Sequence, residues 1–135
     1  MSTRFRIEGM EALQKAILEA YSGTKAKNIQ KAALDAGGDL VMERLKENFE
    51  AFKDTGYSRD EIVKTDPRSR NDVLQLQIGW NGPHKRWRII HLNEFGYTKA
   101  GRQFTPKGFG TIGKTIKEAG EDYSSTVAGK MREML

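Results

Sequence analysis

The sequence predicts an α+β domain: a small mixed or antiparallel sheet packed with one long helix, an N-terminal helix and a C-terminal helix. Three observations carry this expectation. Residues 25–52 and 111–134 repeat apolar side chains at three- and four-residue steps, the period of an amphipathic helix. Leu74, Leu76, Ile78 and Trp80 alternate with Val73, Gln75, Gln77 and Gly79, the two-residue period of a strand. The chain has 135 residues, 37% of them hydrophobic, which is enough for a single domain over 1–135 with one modest core.

Taken in chain order, Phe5 and Ile7 alternate with Arg4, Arg6 and Glu8 as a short half-buried strand, and Gly9 breaks it. Met10, Leu13, Ile17 and Tyr21 then mark a helix over 10–21, ended by Ser22-Gly23. In the long helix one stripe holds Ile29, Ala33, Ala36 and Leu40, and another holds Leu34, Val41, Leu45, Phe49 and Phe52. Gly37-Gly38 sits in its middle, where each glycine costs roughly 1 kcal/mol relative to alanine. Such a pair is either a tolerated weak point or a place of close helix packing or kinking. Asp54-Thr55-Gly56 is a turn, Glu61-Ile62-Val63 a short strand, and Asp66–Asp72 a polar loop. The strand over 73–80 follows and ends at Asn81-Gly82-Pro83. Residues 86–95 read as a short helix or irregular segment closed by Gly96. Residues 97–110 read as a long exposed loop, since only Tyr97, Phe104 and Phe109 are large and apolar there. The last helix carries Ile112, Ile116, Ala119, Tyr123, Val127 and Met131 on one face.

Composition excludes several functional classes. Cysteine is absent, so disulfides and thiolate metal sites are excluded. Two histidines, His84 and His91, make a multi-histidine metal centre unexpected. No apolar run reaches the ~18 residues of a membrane span, and the N-terminus lacks the apolar stretch of a signal peptide. The net charge is +5. Its densest stretch is 84–117, where Lys85, Arg86, Arg88, Lys99, Arg102, Lys107, Lys114 and Lys117 face Glu94 alone. A field of that sign keeps a loop solvated, or attracts polyanions and acidic protein surfaces. Interleaved Trp87, Tyr97, Phe104 and Phe109 suit either single-stranded nucleic acid or a protein interface.

One local pattern points elsewhere. Gly108-Phe109-Gly110-Thr111-Ile112-Gly113-Lys114-Thr115 satisfies the phosphate-loop spacing, with Lys114 placed for outer phosphates and Thr115 for magnesium. A working loop follows a buried strand, whereas this one follows Gly101–Lys107, so a glycine-rich start to the last helix is the plainer reading. A helix N-terminus flanked by Lys107 and Lys114 remains a place for an isolated anion. His91 and Glu94 lie three residues apart, as a base and its partner would on a helix, but no nucleophile elbow, H-E-x-x-H or calcium-loop pattern accompanies them. No catalytic residue, cofactor site or metal site is expected, and the chain is not expected to be an enzyme.

Several pieces align with one family. Ile7-Glu8-Gly9-Met10-Glu11-Ala12-Leu13 precedes a helix, and a long helix rich in alanine and charge ends in Asp54-Thr55-Gly56. A strand ends in Ile78-Gly79-Trp80, and Leu92-Asn93-Glu94-Phe95-Gly96 precedes a Gly/Lys loop and a terminal helix. This order resembles the tail-completion, or head–tail joining, proteins of long-tailed bacteriophages over nearly the whole chain. Its most specific parts are Thr55, Gly56, Glu94, Phe95 and Gly96. The chain departs from the family's pattern at Ser58, where leucine is usual, and at Tyr97, which separates Gly96 from Thr98. The resemblance implies a structural protein of a phage or prophage neck that terminates the tail tube and joins it to the head. It implies residence in the virion neck or tail, with assembly in the host cytoplasm. The implied partners are further copies of itself in a ring, commonly six-fold, together with tail-tube and connector proteins and packaged DNA. A ring needs two different patches on each subunit. Glu94, Tyr97, Lys99, Arg102, Phe104, Lys107 and Phe109 are expected to supply one, and Glu43, Glu47 and Glu50 of the long helix the other. The alternatives are a non-specific nucleic-acid-binding basic domain and a phosphate-loop nucleotide binder.

Overall fold

A computed structural model describes residues 23–52, 55–71 and 73–134, together with residue 15. The α+β expectation holds. Helix α1 (Gly23–Glu50) leads to a one-turn helix α2 (Tyr57–Asp60), four strands β1 (Ile62–Lys64), β2 (Arg68–Arg70), β3 (Val73–Gln75) and β4 (Ile78–Trp80), and a 3₁₀ turn (Arg86–Arg88). Helix α3 (Ile90–Phe95), strands β5 (Tyr97–Lys99) and β6 (Arg102–Phe104), and helix α4 (Thr111–Glu133) complete it. The expected strand over 4–8 and all but one residue of the expected helix over 10–21 lie outside the described residues.

Helices α1 and α4 lie antiparallel. Asn48 donates to the Thr115 hydroxyl at 2.6 Å and Arg44 pairs with Asp122 at 2.7 Å, so rising numbers on one helix meet falling numbers on the other. A single buried stripe runs along α1 through Ala26, Ile29, Ala33, Gly37, Val41, Leu45 and Phe49, one residue per turn. It differs from the two expected stripes: Leu34, Ala36 and Leu40 are only half-buried. The reason lies at the glycine pair. A Cβ on Gly37 would sit 2.6 Å from both the Tyr123 ring and Val127, and one on Gly38 would sit 2.7 Å from Leu76. The pair is therefore where α1 is squeezed between α4 and the strands, the close-packing alternative read from the sequence.

The core has two parts. Ala26, Ile29, Ala33, Val127 and Met131 fill the space between the outer halves of α1 and α4. Val41, Leu45, Phe49, Ile62, Ile90 and Ile112 form the second cluster, with Phe52, Ile78 and Trp80 against it. Phe49 is its centre: its ring lies 5.0 Å from that of Phe52 and 5.5 Å from that of Trp80.

The expected small antiparallel pairing is present, in short pieces. They make three two-stranded antiparallel ladders, β1–β4, β2–β3 and β5–β6. The first two are successive stretches of one long hairpin over 62–80. Ile62 pairs with Trp80 and Lys64 with Ile78, whereas Arg68 pairs with Gln75 and Arg70 with Val73. Between the ladders one leg therefore has residues 65–67 and the other only 76–77, which is a bulge. Pro67 lies in it, and proline has no N–H to continue a ladder. The continuous strand expected over 73–80 is broken there, and the expected polar loop over 66–72 contains β2.

Lys64 fastens this hairpin to α1. Its ammonium lies 2.5 Å from Asp35 and 2.7 Å from Asp39 and is largely buried. Burial alone pulls the lysine pKa down, but the hydrogen bonds to the two aspartates outweigh it and hold the value above the ordinary one. The Tyr123 phenol is also pushed up, by burial. Both shifts favour the form present at neutral pH, so their stabilisation is complete below the unfolded values and disappears as pH rises through the folded ones. Urea midpoints read by tryptophan fluorescence are expected to fall above about pH 10. Tyr123→Phe should flatten part of that fall, and an unchanged profile in Tyr123→Phe and Lys64→Met would contradict the assignment.

Candidate functional site

The densest gathering of the expected functional residues is an arm over 95–110. Tyr97–Lys99 and Arg102–Phe104 pair as a hairpin whose two-residue turn, Ala100-Gly101, has φ of +53° and +76°. Two consecutive positive φ values give the twist that suits a tight hairpin. The span expected to be a loop thus carries its own ladder, although all six strand residues are exposed. The Tyr97 and Phe104 rings stack at 5.2 Å, and the Arg102 guanidinium lies 5.9 Å from the Phe104 ring. Phe95 and Phe109 flank the root and are 60% and 54% exposed, the highest values among the large apolar side chains described. Lys99, Arg102 and Lys107 are exposed around them, and residues 95–117 contain no acid at all.

Glu94 is the residue whose expected place changes. It was expected on the assembly surface, but it is buried. Its carboxylate accepts the N–H of Ile112 at 2.7 Å and of Gly113 at 3.0 Å, the first turn of α4. Its own backbone carbonyl accepts the N–H of Gly110 at 2.9 Å. Helix α4 has no side-chain cap from its N-cap Gly110 and no acid in its first turn. The cap and the negative charge are supplied across space by Glu94 instead.

Each residue of Glu94-Phe95-Gly96 therefore has its own task. Glu94 caps α4 and Phe95 stands in solvent. Gly96, with φ +72° and ψ −179°, turns the chain into the arm. That conformation is open to glycine alone, and a Cβ there would sit 2.8 Å from the Phe104 carbonyl oxygen.

The same geometry accounts for the phosphate-loop letters. The N–H groups that would face a phosphate already face the Glu94 carboxylate. Thr115 is buried, donates to the Thr111 carbonyl at 2.7 Å and accepts from Asn48, so its hydroxyl is turned away from any magnesium. Gly108 is present because Asn93 and Phe52 press on it, and Gly110 because its φ is +72°. An anion at this helix start would meet a carboxylate, which weighs against both the nucleotide and the isolated-anion readings.

Thr55-Gly56 lies across a recess that Asn93, beside the root of the arm, also lines. Gly56, at φ +84°, starts α2, and the Tyr57 N–H donates to the Thr55 hydroxyl at 3.3 Å. Both line this recess, of about 130 Å³ and floored by Phe49, Phe52 and Ile90. Asp54 of this motif is outside the described residues. Glu43, Glu47 and Glu50 are exposed on α1 as expected. Glu50 is partly neutralised by Arg59, which pairs with it and with Asp60.

A second buried carboxylate escaped the sequence reading. Glu61 accepts the N–H of His84 at 2.7 Å and of Arg86 at 3.0 Å, capping the 3₁₀ turn as Glu94 caps α4. Around it Trp80 donates its indole N–H to the Ser58 carbonyl, Arg86 donates to the Ser58 hydroxyl, and the Tyr57 and His84 rings stack at 3.4 Å. No signal in the sequence marks it: the closeness of Gly82, whose Cβ would lie 2.5 Å from the Glu61 side chain, exists only in the fold.

Among the described residues no group of three or more acidic or histidine side chains is placed to hold a metal ion. No described helix is long and apolar enough to cross a membrane. No family model, curated protein or solved structure matches the chain.

Proposed function

We propose that this chain is a structural protein of a phage or prophage head–tail neck, which completes the tail tube and joins it to the head by assembling as a ring. The observation that carries the reading is the arm: a formed hairpin of one charge sign, with four exposed aromatic side chains gathered at its root and base. Aromatic and arginine side chains dominate binding energy at protein interfaces, and a head-to-tail ring needs such a patch facing a dissimilar one. The acidic residues Glu43 and Glu47 of α1 supply the dissimilar patch. The reading also rests on the order Thr55-Gly56, Ile78-Gly79-Trp80, Glu94-Phe95-Gly96, which resembles the family's pattern. The further partners in this reading are tail-tube and connector proteins, with packaged DNA passing near the arm.

Light scattering after size exclusion tests the proposal. The wild-type chain is expected at a multiple of the monomer mass, and Arg102→Glu with Lys107→Glu at the monomer mass with an unchanged circular-dichroism spectrum. Unaltered assembly of the double variant refutes the role of the arm. The second reading, a basic nucleic-acid-binding domain, rests on the same cations. It requires co-elution with duplex DNA that falls steeply with salt, and no oligomer in its absence.

A further inference from the structure

We infer that Glu94 is a clasp: one buried residue, through its backbone carbonyl and its carboxylate, ties the start of the 95–110 arm to its end and to the first turn of α4, so that the docking surface is preformed and opens only as a unit. The inference deepens the neck-assembly reading and rests on it for its consequence, though not for its geometry. The chain leaves α3 at Glu94 and returns to it at Gly110. At the departure point the Glu94 carbonyl holds the Gly110 N–H, and two residues further on its carboxylate holds Ile112 and Gly113. Asn93 adds a bond to the Gly108 carbonyl at 3.4 Å. Sixteen residues, 95 to 110, are thus gathered by the two residues that precede them.

Beyond this root the arm has little to hold it. All six strand residues are exposed, and neither buried cluster includes a residue of 95–110. The β5–β6 ladder makes its extensive contacts only within itself. The clusters that hold the domain together, Phe49 with Ile90 and Ile112 among them, do not depend on the arm. Opening at Glu94 therefore frees the arm while the domain stays folded, which is a sub-global opening of low cost compared with unfolding. A closed arm meets its partner without first having to be ordered, and so without the entropic cost of ordering on binding.

Native-state hydrogen exchange on the full chain, at low and rising denaturant, tests this in the wild type and in Glu94→Gln. Glutamine keeps the shape and one acceptor oxygen but loses the charge and turns an amide N–H₂ toward a backbone donor. The amides of 97–104 are expected to exchange together with those of Gly110, Ile112 and Gly113, well before those of Leu45 and Phe49. Glu94→Gln should raise that shared opening roughly tenfold or more and leave α1 protection unchanged. It should also lower ring formation with Arg102 and Lys107 intact. Arm amides that exchange freely while Ile112 and Gly113 stay protected overturn the clasp. So does exchange of the arm only with α1 in global unfolding. Rings of undiminished yield on an opened arm overturn its control of assembly. A wild-type chain that never assembles sinks the neck reading instead, and the exchange pattern then decides the clasp alone.

Discussion

Gly37→Ala is expected to destabilise the protein by about 2 kcal/mol, against the usual sign of such a change. In an open helix, alanine for glycine stabilises by up to ~1 kcal/mol, because alanine has less backbone freedom to lose on folding. At Gly37 the added methyl would stand 2.6 Å from the Tyr123 ring and from Val127. Neither side chain is at the free end of a flexible chain. Val127 is 4% exposed in the first core cluster, and Tyr123 packs against both clusters. Over-packing of this kind costs typically 1–3 kcal/mol, so the clash outweighs the propensity gain. Glycines of α4 provide the control. A Cβ on Gly120 or Gly129 meets nothing within 4 Å, and alanine at either is expected to stabilise by a few tenths to ~1 kcal/mol. Chemical denaturation of the three variants reads the contrast directly. If Gly37→Ala were as stabilising as Gly129→Ala, α1 and α4 would not be in contact at that point. The double change Gly37→Ala with Val127→Ala should recover part of the loss, since the second removes a methyl from the path of the first.

That glycine pair also shows what was legible in the sequence. Helices α1 and α4 could be read because their periodicity is local and extends over many turns. The choice between a weak point and a close contact at Gly37 could not, since it depends on Tyr123 and Val127, far away in the chain. The strand over 73–80 was visible as alternation. Its break opposite 65–67 was not, because a bulge is a property of two legs and only their pairing shows that one has a residue more. The arm's exposure could be read from its lack of large apolar residues, whereas its ladder rests on Ala100 adopting positive φ, which nothing about alanine announces. Of the candidate site, the cations and aromatics are legible in the sequence, whereas the capping role of Glu94 is not. A buried glutamate and a solvated one have the same letter. Only the position of α4's free N–H groups tells them apart, and that position is set by tertiary packing.

Glu61→Ala is expected to cost about 3 kcal/mol, and its effect should be coupled to Gly82. Glu61 is 4% exposed, and its carboxylate accepts two backbone N–H groups, those of His84 and Arg86. Hydrogen bonds to a charged acceptor contribute roughly 1.5–3 kcal/mol each, and buried donors left without a partner cost about 1–3 kcal/mol each. The alanine variant loses both bonds but exposes the donors to partial rescue by water, so the net figure lies near the low end of about 3–6 kcal/mol for the two bonds together. At the size of this domain it corresponds to a fall in Tm of roughly 10 °C. Glu61→Gln should cost less, because one acceptor oxygen remains. The geometry adds a stricter requirement. A Cβ on Gly82 would lie 2.5 Å from the Glu61 Cγ and Cδ, so Gly82→Ala alone is expected to destabilise by about 1–3 kcal/mol. On the Glu61→Ala background that obstacle is gone, and the same Gly82→Ala change should be nearly neutral. A double-mutant cycle on these two positions is therefore expected to give a coupling of more than about 1 kcal/mol. Additive effects would mean that a Cβ on Gly82 does not meet the Glu61 side chain, and a neutral Glu61→Ala that the carboxylate does not hold the turn.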